Sequence, residues 1–441
     1  MKAKLLIIAF LAISTSCFSQ NKKQTVDRPS NLSDTALLEL VQKQTFKYFW
    51  DFAHPVSGLA RERSNTTVEY GWETTTTGGT GFGIMSMIVA VERGWITRDT
   101  AVKRLLKMLR FLRRADKYNG VFPHWLNGET GRVIPFSPKD DGADLVETAY
   151  LFQGLLCARQ YFTENNQTER QLRQFITWLW NEIEWDWFTR GGISVLYWHW
   201  SANHGWSMNN EIRGWNECLI TYVLAASSIN YAIKPDVYHR GWANSSHFKN
   251  QREYYGIKLP LGFDYGGPLF FAHYSFMGID PRGLKDRYAD YWEQNKNHTL
   301  IIREHCIRNP GKFKGYGPDS WGLTASDNHL GYGAHSPTED LGVISPTAAL
   351  SSFPYTPDYS MQALKYFYNK VGDKIWSEYG FTDAFNESKN WYADSHLAID
   401  QGPIIVMIEN YRTGLLWKLF MSVPEIQQGM KKLGFQSPNL K

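Results

Sequence analysis

Apolar residues along this chain recur at intervals of three and four far more often than two, so the regular structure is predicted to be helical. Ser33 reads as the N-cap of a first helix to about residue 52, with Leu37, Leu40, Val41, Phe46 and Phe49 on its apolar stripe. Further helices are predicted at about 81–93, 98–115 (capped by Thr97), 143–163, 168–185, 213–228, 267–278, 284–308, 346–353, 358–371, 403–420 and 423–434. One β-like run, residues 193–200, follows Gly191-Gly192 and reads as a hairpin within a loop. Three long connections, 54–80, 229–266 and 309–345, separate these helices. Long connections without regular structure in a compact domain are usually functional. Helices joined by short loops on one side and long loops on the other predict an all-α toroid. Its inner helices would face the axis and its long loops would wall a cleft. An irregular helical bundle satisfies the same periodicity.

Two of the predicted helices begin in runs of acid. One run is Asp140-Asp141-Gly-Ala-Asp144-Leu-Val-Glu147, and the other is Glu211-Ile-Arg213-Gly-Trp215-Asn216-Glu217. Burying an unpaired charge is costly, so acids leading into apolar helices need a partner or a task. Asp140, Asp144 and Glu147 are spaced by four and three and share a face if the helix begins by Asp140. Capping is the plain alternative for Asp140 and Asp144, and a salt bridge to Arg213 is the plain alternative for Glu217. Asp400, in Ile399-Asp400-Gln401-Gly402-Pro403, is a third acid at a predicted helix mouth, with Pro403 placed as the first helical residue. Three carboxylates at three helix mouths suit glycoside hydrolysis. One carboxylic acid must protonate the leaving oxygen while a carboxylate activates water or attacks.

Composition sharpens this expectation. Aromatic residues make up 15% of the 441 residues and include 18 Trp. Most must serve the core, but Trp72, Trp125, Trp206, Tyr332, Trp391 and Tyr392 fall in predicted loops, where flat rings could serve as sugar platforms. Arg61 and Glu211 are further candidates for substrate contact. The formal net charge of +4 is dispersed and gives no nucleic-acid footprint. Gly78-Gly79-Thr80-Gly81-Phe82-Gly83 lacks the Lys-Ser/Thr of a phosphate loop, and no Gly-x-Ser-x-Gly elbow occurs. His199 and His204 with Tyr197 keep a polysaccharide lyase open as a weaker alternative. Beyond Cys17, only Cys157, Cys218 and Cys306 remain; they read as buried thiols, and no Cys/His spacing resembles a zinc site.

Lys2 and Lys4 precede an apolar run at residues 5–13, the layout of a signal peptide and too short to span a bilayer. Residues 1–20 are therefore expected to be a targeting segment, 21–32 a polar tether and 33–441 a single catalytic domain. Cys17 after Ser14-Thr15-Ser16 is a candidate lipidation site, the alternative being cleavage near Gln20. A secreted, periplasmic monomer is expected, held to the envelope only through such an anchor.

The motifs Asp144-Leu-Val-Glu-Thr-Ala-Tyr150, Gly214-Trp-Asn-Glu217 and Ile399-Asp-Gln-Gly-Pro403, with Ile408-Glu-Asn-Tyr-Arg-Thr-Gly-Leu-Leu-Trp417, resemble the glycoamylase-like proteins. The nearest resemblance is to glycoside hydrolase family 144, the bacterial endo-β-1,2-glucanases, and it runs from about residue 33 to 435. It implies an (α/α)6 toroid, linear β-1,2-glucan as substrate, no cofactor, and inverting hydrolysis to sophorose and short sophoro-oligosaccharides. Carried across by motif, the general acid falls on Glu217. The base falls on Asp400 or Glu147, with Asp400 preferred and Asp144 and Glu147 supporting. An exo-acting, sophorose-releasing hydrolase and a non-catalytic glycan-binding protein are the alternatives. Trp215, where relatives often carry Tyr, is a slight departure.

Overall fold

The computed structural model describes residues 26–65 and 71–441; the expected targeting segment and Cys17 lie outside them. The predicted helix starts at Ser33 and Thr97 are present. The Ser33 hydroxyl accepts from Ala36 N–H to cap α1 (Asp34–Trp50), and Thr97 accepts from Thr100 N–H to cap α3 (Arg98–Arg114). Between them runs α2 (Thr77–Glu92), and after them come α4 (Leu145–Tyr161), α5 (Gln167–Asn181) and α6 (Leu219–Ser227). The chain continues through α7 (Tyr291–Arg308), α8 (Pro346–Leu350), α9 (Pro357–Asn369) and the single turn α10 (Gly372–Ile375). It ends with α11 (Ala398–Arg412), α12 (Leu415–Met421) and α13 (Pro424–Lys432).

Two helix types alternate. α3 and α5 carry a single apolar stripe and expose the opposite face. α2, α4, α6 and α11 are buried almost all round, the mark of helices inside a protein. These inner helices form the ring of an (α/α)6 toroid, with amphipathic helices packed outside. α2 and α4 touch backbone to backbone: a Cβ on Gly81 would lie 2.1 Å from the Tyr150 carbonyl oxygen, and one on Gly154 would lie 2.2 Å from that of Gly81. The glycine run at 78–83 is thus a helix contact face. One hydrophobic cluster extends from Leu37 to Phe435.

Several predicted boundaries shift. Residues 213–218 are not helical. Gly214 (φ 81°) and the bond from Cys218 N–H to Asn216 Oδ1 make a turn, and α6 begins only at Leu219. Residues 267–278 form short 3-10 turns rather than an α-helix, and α7 starts at Tyr291 because Asp290 caps it. The predicted 403–420 helix is two, broken where Gly414 takes φ 70°. Pro403 sits inside α11, not at its start, which places Asp400 in the first turn. The expected 193–200 hairpin is absent; His199–Trp200 instead pairs antiparallel with Ala143–Asp144. Within the 309–345 connection, Ala325–Asn328 and Gly331–Ala334 pair as a hairpin. The end of the expected tether is docked: Tyr368 O–H donates to Pro29 O, and Arg28 pairs with Asp373. Cys157, Cys218 and Cys306 are free and buried.

Candidate active site

The N-terminal ends of α2, α4, α6 and α11 converge on one cavity of about 250 Å³. Helix N-termini present unpaired N–H groups and a positive dipole end, which favours anionic side chains there. Glu62, Glu147 and Glu217 line this cavity among the rings of Trp125, Phe136, Tyr150, Trp198, Phe270, Tyr274 and Tyr332. Most of its wall is therefore flat and apolar, with carboxyls at a few points. That is the composition expected of a site for a sugar chain.

Glu217 ends the turn before α6. Its carbonyl accepts from Ser275 O–H, whose oxygen in turn accepts Ile220 N–H, so the turn is tied to the 3-10 segment. Among the described residues no other side chain hydrogen-bonds its carboxyl; its own backbone N–H does, and burial pushes the carboxyl up to about 7. Arg213, the partner in the alternative reading of Glu217, pairs with Glu211, which also accepts from Tyr197 O–H and lies outside the cavity lining.

A second group surrounds the start of α4. Asp144 is its N-cap, not a residue on its face: Oδ1 accepts from Val146 N–H, Glu147 N–H and Trp198 Nε1–H. Its Oδ2 lies 3.0 Å from His124 Nδ1 and 3.6 Å from His199 Nε2, which also reaches Asp140 Oδ2 at 3.3 Å. Asp140 lies in the preceding loop, so the three acids meet through the two imidazoles rather than along one helix face. Burial works against the Asp144 anion, but bonds from His124 and His199 hold its carboxyl below the ordinary range. Burial likewise opposes the charge on His124, yet Glu147 and Asp144 raise it to about 9. Glu147 accepts Gly78 N–H at 2.7 Å and stands 4.0 Å from His124 Nε2; burial, then Asp144, raises its carboxyl. His124, Asp140 and Asp144 offer ligand atoms within 4.8 Å of one another, a spacing that a metal ion would fit if it displaced the imidazole proton.

Removing Asp144 therefore leaves two partly buried imidazoles without their shared anion and α4 without its cap. Asp144→Ala is expected to destabilise the fold by about 3–5 kcal/mol, read by urea unfolding. The pH signs are opposite for the two partners. The Asp144 contribution is present above its ordinary carboxyl range of about 4 and disappears as pH falls below it. The His124 contribution is full below about 6.5 and disappears as pH rises through about 9. The Ala variant should thus differ most from wild type between those limits.

The third group faces the cavity from the opposite connections. Arg63 binds Glu62 at 2.8 Å and Asp327 at 3.2 Å. Asp327 N–H donates to Asp383 Oδ2 at 2.6 Å. Burial, then the charges of Asp400 and Asp327, pushes the Asp383 carboxyl well up, and burial raises Asp400 to about 7. Asp400 is 1% exposed and does not line the cavity; Tyr274 does, and its hydroxyl donates to Asp400 Oδ1 at 3.4 Å.

The remaining candidates separate. Trp125 and Tyr332 line the cavity. Trp391 and Tyr392 line an adjoining cavity of about 500 Å³ that shares Arg63 and Tyr332 with it. Arg61 does not reach it, because its guanidinium is bonded to the Trp72 and Phe52 carbonyls and lies over both rings. Trp72 faces a separate cavity with Tyr379 and Trp376. Trp206 is packed against Trp187 and Tyr197 beneath Arg190. His199 belongs to the carboxylate group described above. His124, Arg63, Tyr274 and Asp383 were not singled out in the sequence: Tyr274 falls in the segment predicted as helix 267–278, and the other three lie in connections, His124 next to Trp125 and Arg63 two residues from Arg61.

Residues 209–424 match the Glycoamylase family model. An endo-β-1,2-glucanase from Chitinophaga pinensis, solved with sophorotriose and glucose, is 56% identical, with a TM-score of 0.90 over 93% of this chain and 100% of that one. A β-1,2-glucanase from Parabacteroides distasonis is 45% identical, with a TM-score of 0.89 over 92% of this chain and 60% of that one. An exo β-1,2-glucooligosaccharide sophorohydrolase (non-reducing end) of the same organism is 44% identical over 96% of this chain. The chain spans 61% of that relative's length.

Proposed function

Since the chain belongs to the glycoamylase-like glycoside hydrolases, and within them to family 144, we propose that it is an inverting endo-β-1,2-glucanase. Its substrate is linear β-1,2-glucan and its products are sophorose and short sophoro-oligosaccharides. The observation that carries the chemistry is Glu217: an unpaired carboxyl on the wall of a ring-lined cavity, kept protonated near neutral pH by burial. Protonated Glu217 gives its proton to the glycosidic oxygen as the C1–O bond breaks. Water attacks C1 from the opposite face, and Asp400 is the base that collects its proton. Because Asp400 stands behind Tyr274, the water's proton passes to the Tyr274 oxygen as Tyr274 passes its own to Asp400.

Endo action is supported by the junction of the two cavities at Arg63 and Tyr332, which gives a chain longer than a disaccharide a path past Trp391 and Tyr392. The exo alternative is favoured by the sophorohydrolase relative. The test is the product spectrum early in digestion of β-1,2-glucan, with the new reducing end followed by NMR. Mixed sophoro-oligosaccharides formed as the α-anomer are expected. Sophorose alone from the first turnovers would make the enzyme exo-acting. A β-anomer would replace inversion by retention. Export to the periplasm is part of the same reading, supported by the layout of residues 1–20.

A further inference from the structure

The catalytic cavity is the first of three linked in series. It shares Arg63 and Tyr332 with the adjoining cavity of about 500 Å³, and that one shares Asp394 with a third of about 650 Å³. Residues 64–65 and 394–396 form the partition between the second and the third. Ser64 and His396 line the third, Asn65 and Ser395 line the second, and Asp394 lines both. The two segments are tied together. Ser64 N–H donates to His396 O at 3.0 Å, the Ser64 hydroxyl meets His396 Nδ1 at 2.9 Å, and Asn65 Nδ2–H donates to Asp394 Oδ1 at 3.1 Å. Lys374 spans the same junction: it lines the third cavity, and its ammonium donates at 2.6 Å to the hydroxyl of Tyr392, which lines the second.

The third cavity is built around Trp72, whose ring is 53% exposed and yet held in place. The ring meets Phe52 at 5.9 Å with the planes 65° apart, and the Arg61 guanidinium lies over both rings, 5.3 Å from one and 4.9 Å from the other. Arg61 Nε–H also donates to Trp72 O at 2.9 Å, which fixes the backbone beneath the ring. Phe52 packs in turn on Tyr379 at 5.3 Å, and Tyr379 on Tyr48 of α1. A ligand docking on the exposed part of Trp72 therefore has little left to order. The exposed groups Lys374, Glu378 and Asp394 stand around these rings. Flat rings edged by hydrogen-bonding groups of both charge signs suit a neutral polyhydroxylated chain better than a polyanion or a polycation.

We propose that the β-1,2-glucan cleft continues past Trp391 and Tyr392 into this third cavity, where Trp72 is a distal platform for glucosyl units beyond those held in the second. This deepens the glucanase reading and rests on it. Glu217 and Asp400 are not part of the third cavity, so a chain end resting there contributes equally before and during bond cleavage. Such uniform binding lowers KM and leaves kcat where it was, and only a long chain can reach it.

The test compares long linear β-1,2-glucan with short sophoro-oligosaccharides. Expected for Trp72→Ala is a rise in KM of about tenfold on the polymer with kcat little changed, and a much smaller rise on the short chains. Trp72→Tyr keeps a ring and should recover most of the loss. Calorimetric titration of polymer into Glu217→Gln protein, with and without Trp72→Ala, reads the same difference as Kd in the absence of turnover. Circular dichroism accompanies each variant. Asp394→Lys, which crowds the junction with a longer side chain, should reproduce the polymer-specific loss and carries the test should Trp72→Ala fail to fold. Equal losses on polymer and short chains would make Trp72 a structural residue and overturn the proposal. An unmoved polymer KM in a folded Trp72→Ala protein overturns it as well, since the cavity then takes no glucan. A wild-type protein that neither cuts nor binds β-1,2-glucan is a different failure, that of the substrate itself, and takes this proposal with it.

Discussion

Glu217→Gln is expected to lower kcat on β-1,2-glucan by about 10²–10⁴-fold while leaving the circular dichroism spectrum unchanged. The amide fills the same volume and cannot give a proton to the leaving oxygen. Among the described residues no other side chain hydrogen-bonds the Glu217 carboxyl, and the amide oxygen can still accept from its own backbone N–H, so no structural partner is orphaned. In wild type, activity should decline as pH rises past about 7, where burial places the Glu217 ionisation. The same burial predicts a second, independent effect. A carboxyl raised above its ordinary value is stabilising in its protonated form, fully so below about 4.5, and that advantage is lost as pH rises through about 7. Glutamine never ionises. At pH 8 the variant should therefore be more stable than wild type, by roughly 1–2 kcal/mol once cavity water has screened part of the penalty. An inactive variant that is also stabilised at high pH is difficult to explain if Glu217 merely packs. Equal turnover in the two proteins would remove it from the chemistry.

Signals that act within one helical turn were legible in the chain, and those that depend on distant partners were not. Ser33 and Thr97 cap their own helices through bonds three residues away, so the pattern predicted those starts. The turn at 213–218 and the break at Gly414 depend on backbone angles that no apolar period records. Glu147, Glu217 and Asp400 stood out because a charge beside an apolar helix is locally anomalous. Asp383 and His124 occupy non-periodic connections and acquire meaning only from Asp400 and Asp144, 17 and 20 residues away in sequence. Aromatic platforms were the least legible. Trp125 and Trp206 look alike in sequence, and only packing shows that one lines the cavity while the other stacks on Trp187. Arg61 and Arg63 show the same limit: both lie in one short segment, and their partners Trp72 and Asp327 decide which of them lines the cavity.

Asp400→Asn is expected to cost about 10²–10⁴-fold in kcat, with little change in KM, because the base acts on water and not on the sugar. Asparagine keeps an oxygen to accept from Tyr274 O–H, so the cavity wall should stay in place. The decisive comparison is Glu147→Gln. Glu147 stands on the cavity wall with its oxygens near Gly78 N–H and His124 and has direct access to water, which Asp400, 1% exposed, lacks. If access decided the matter, Glu147 would be the base. Titration does not separate the two, since burial raises both carboxyls to about 7. Their partners differ: Glu147 is held by Gly78 N–H and lies beside His124, which suits a fixed place in the wall, whereas the groups acting on Asp400 are Asp383, Asp327, Tyr274 and Glu62, none of them a cation. Gln at 147 should therefore mainly raise KM, through loss of its place in the wall, and lower kcat less than the Asp400 change. Tyr274→Phe supplies the third arm, since it cuts the hydroxyl between Asp400 and the cavity while preserving the ring. Loss of kcat in Tyr274→Phe together with Asp400→Asn places the base behind the wall. A Glu147→Gln variant that falls below both, with Tyr274→Phe still active, would move the base to the head of α4.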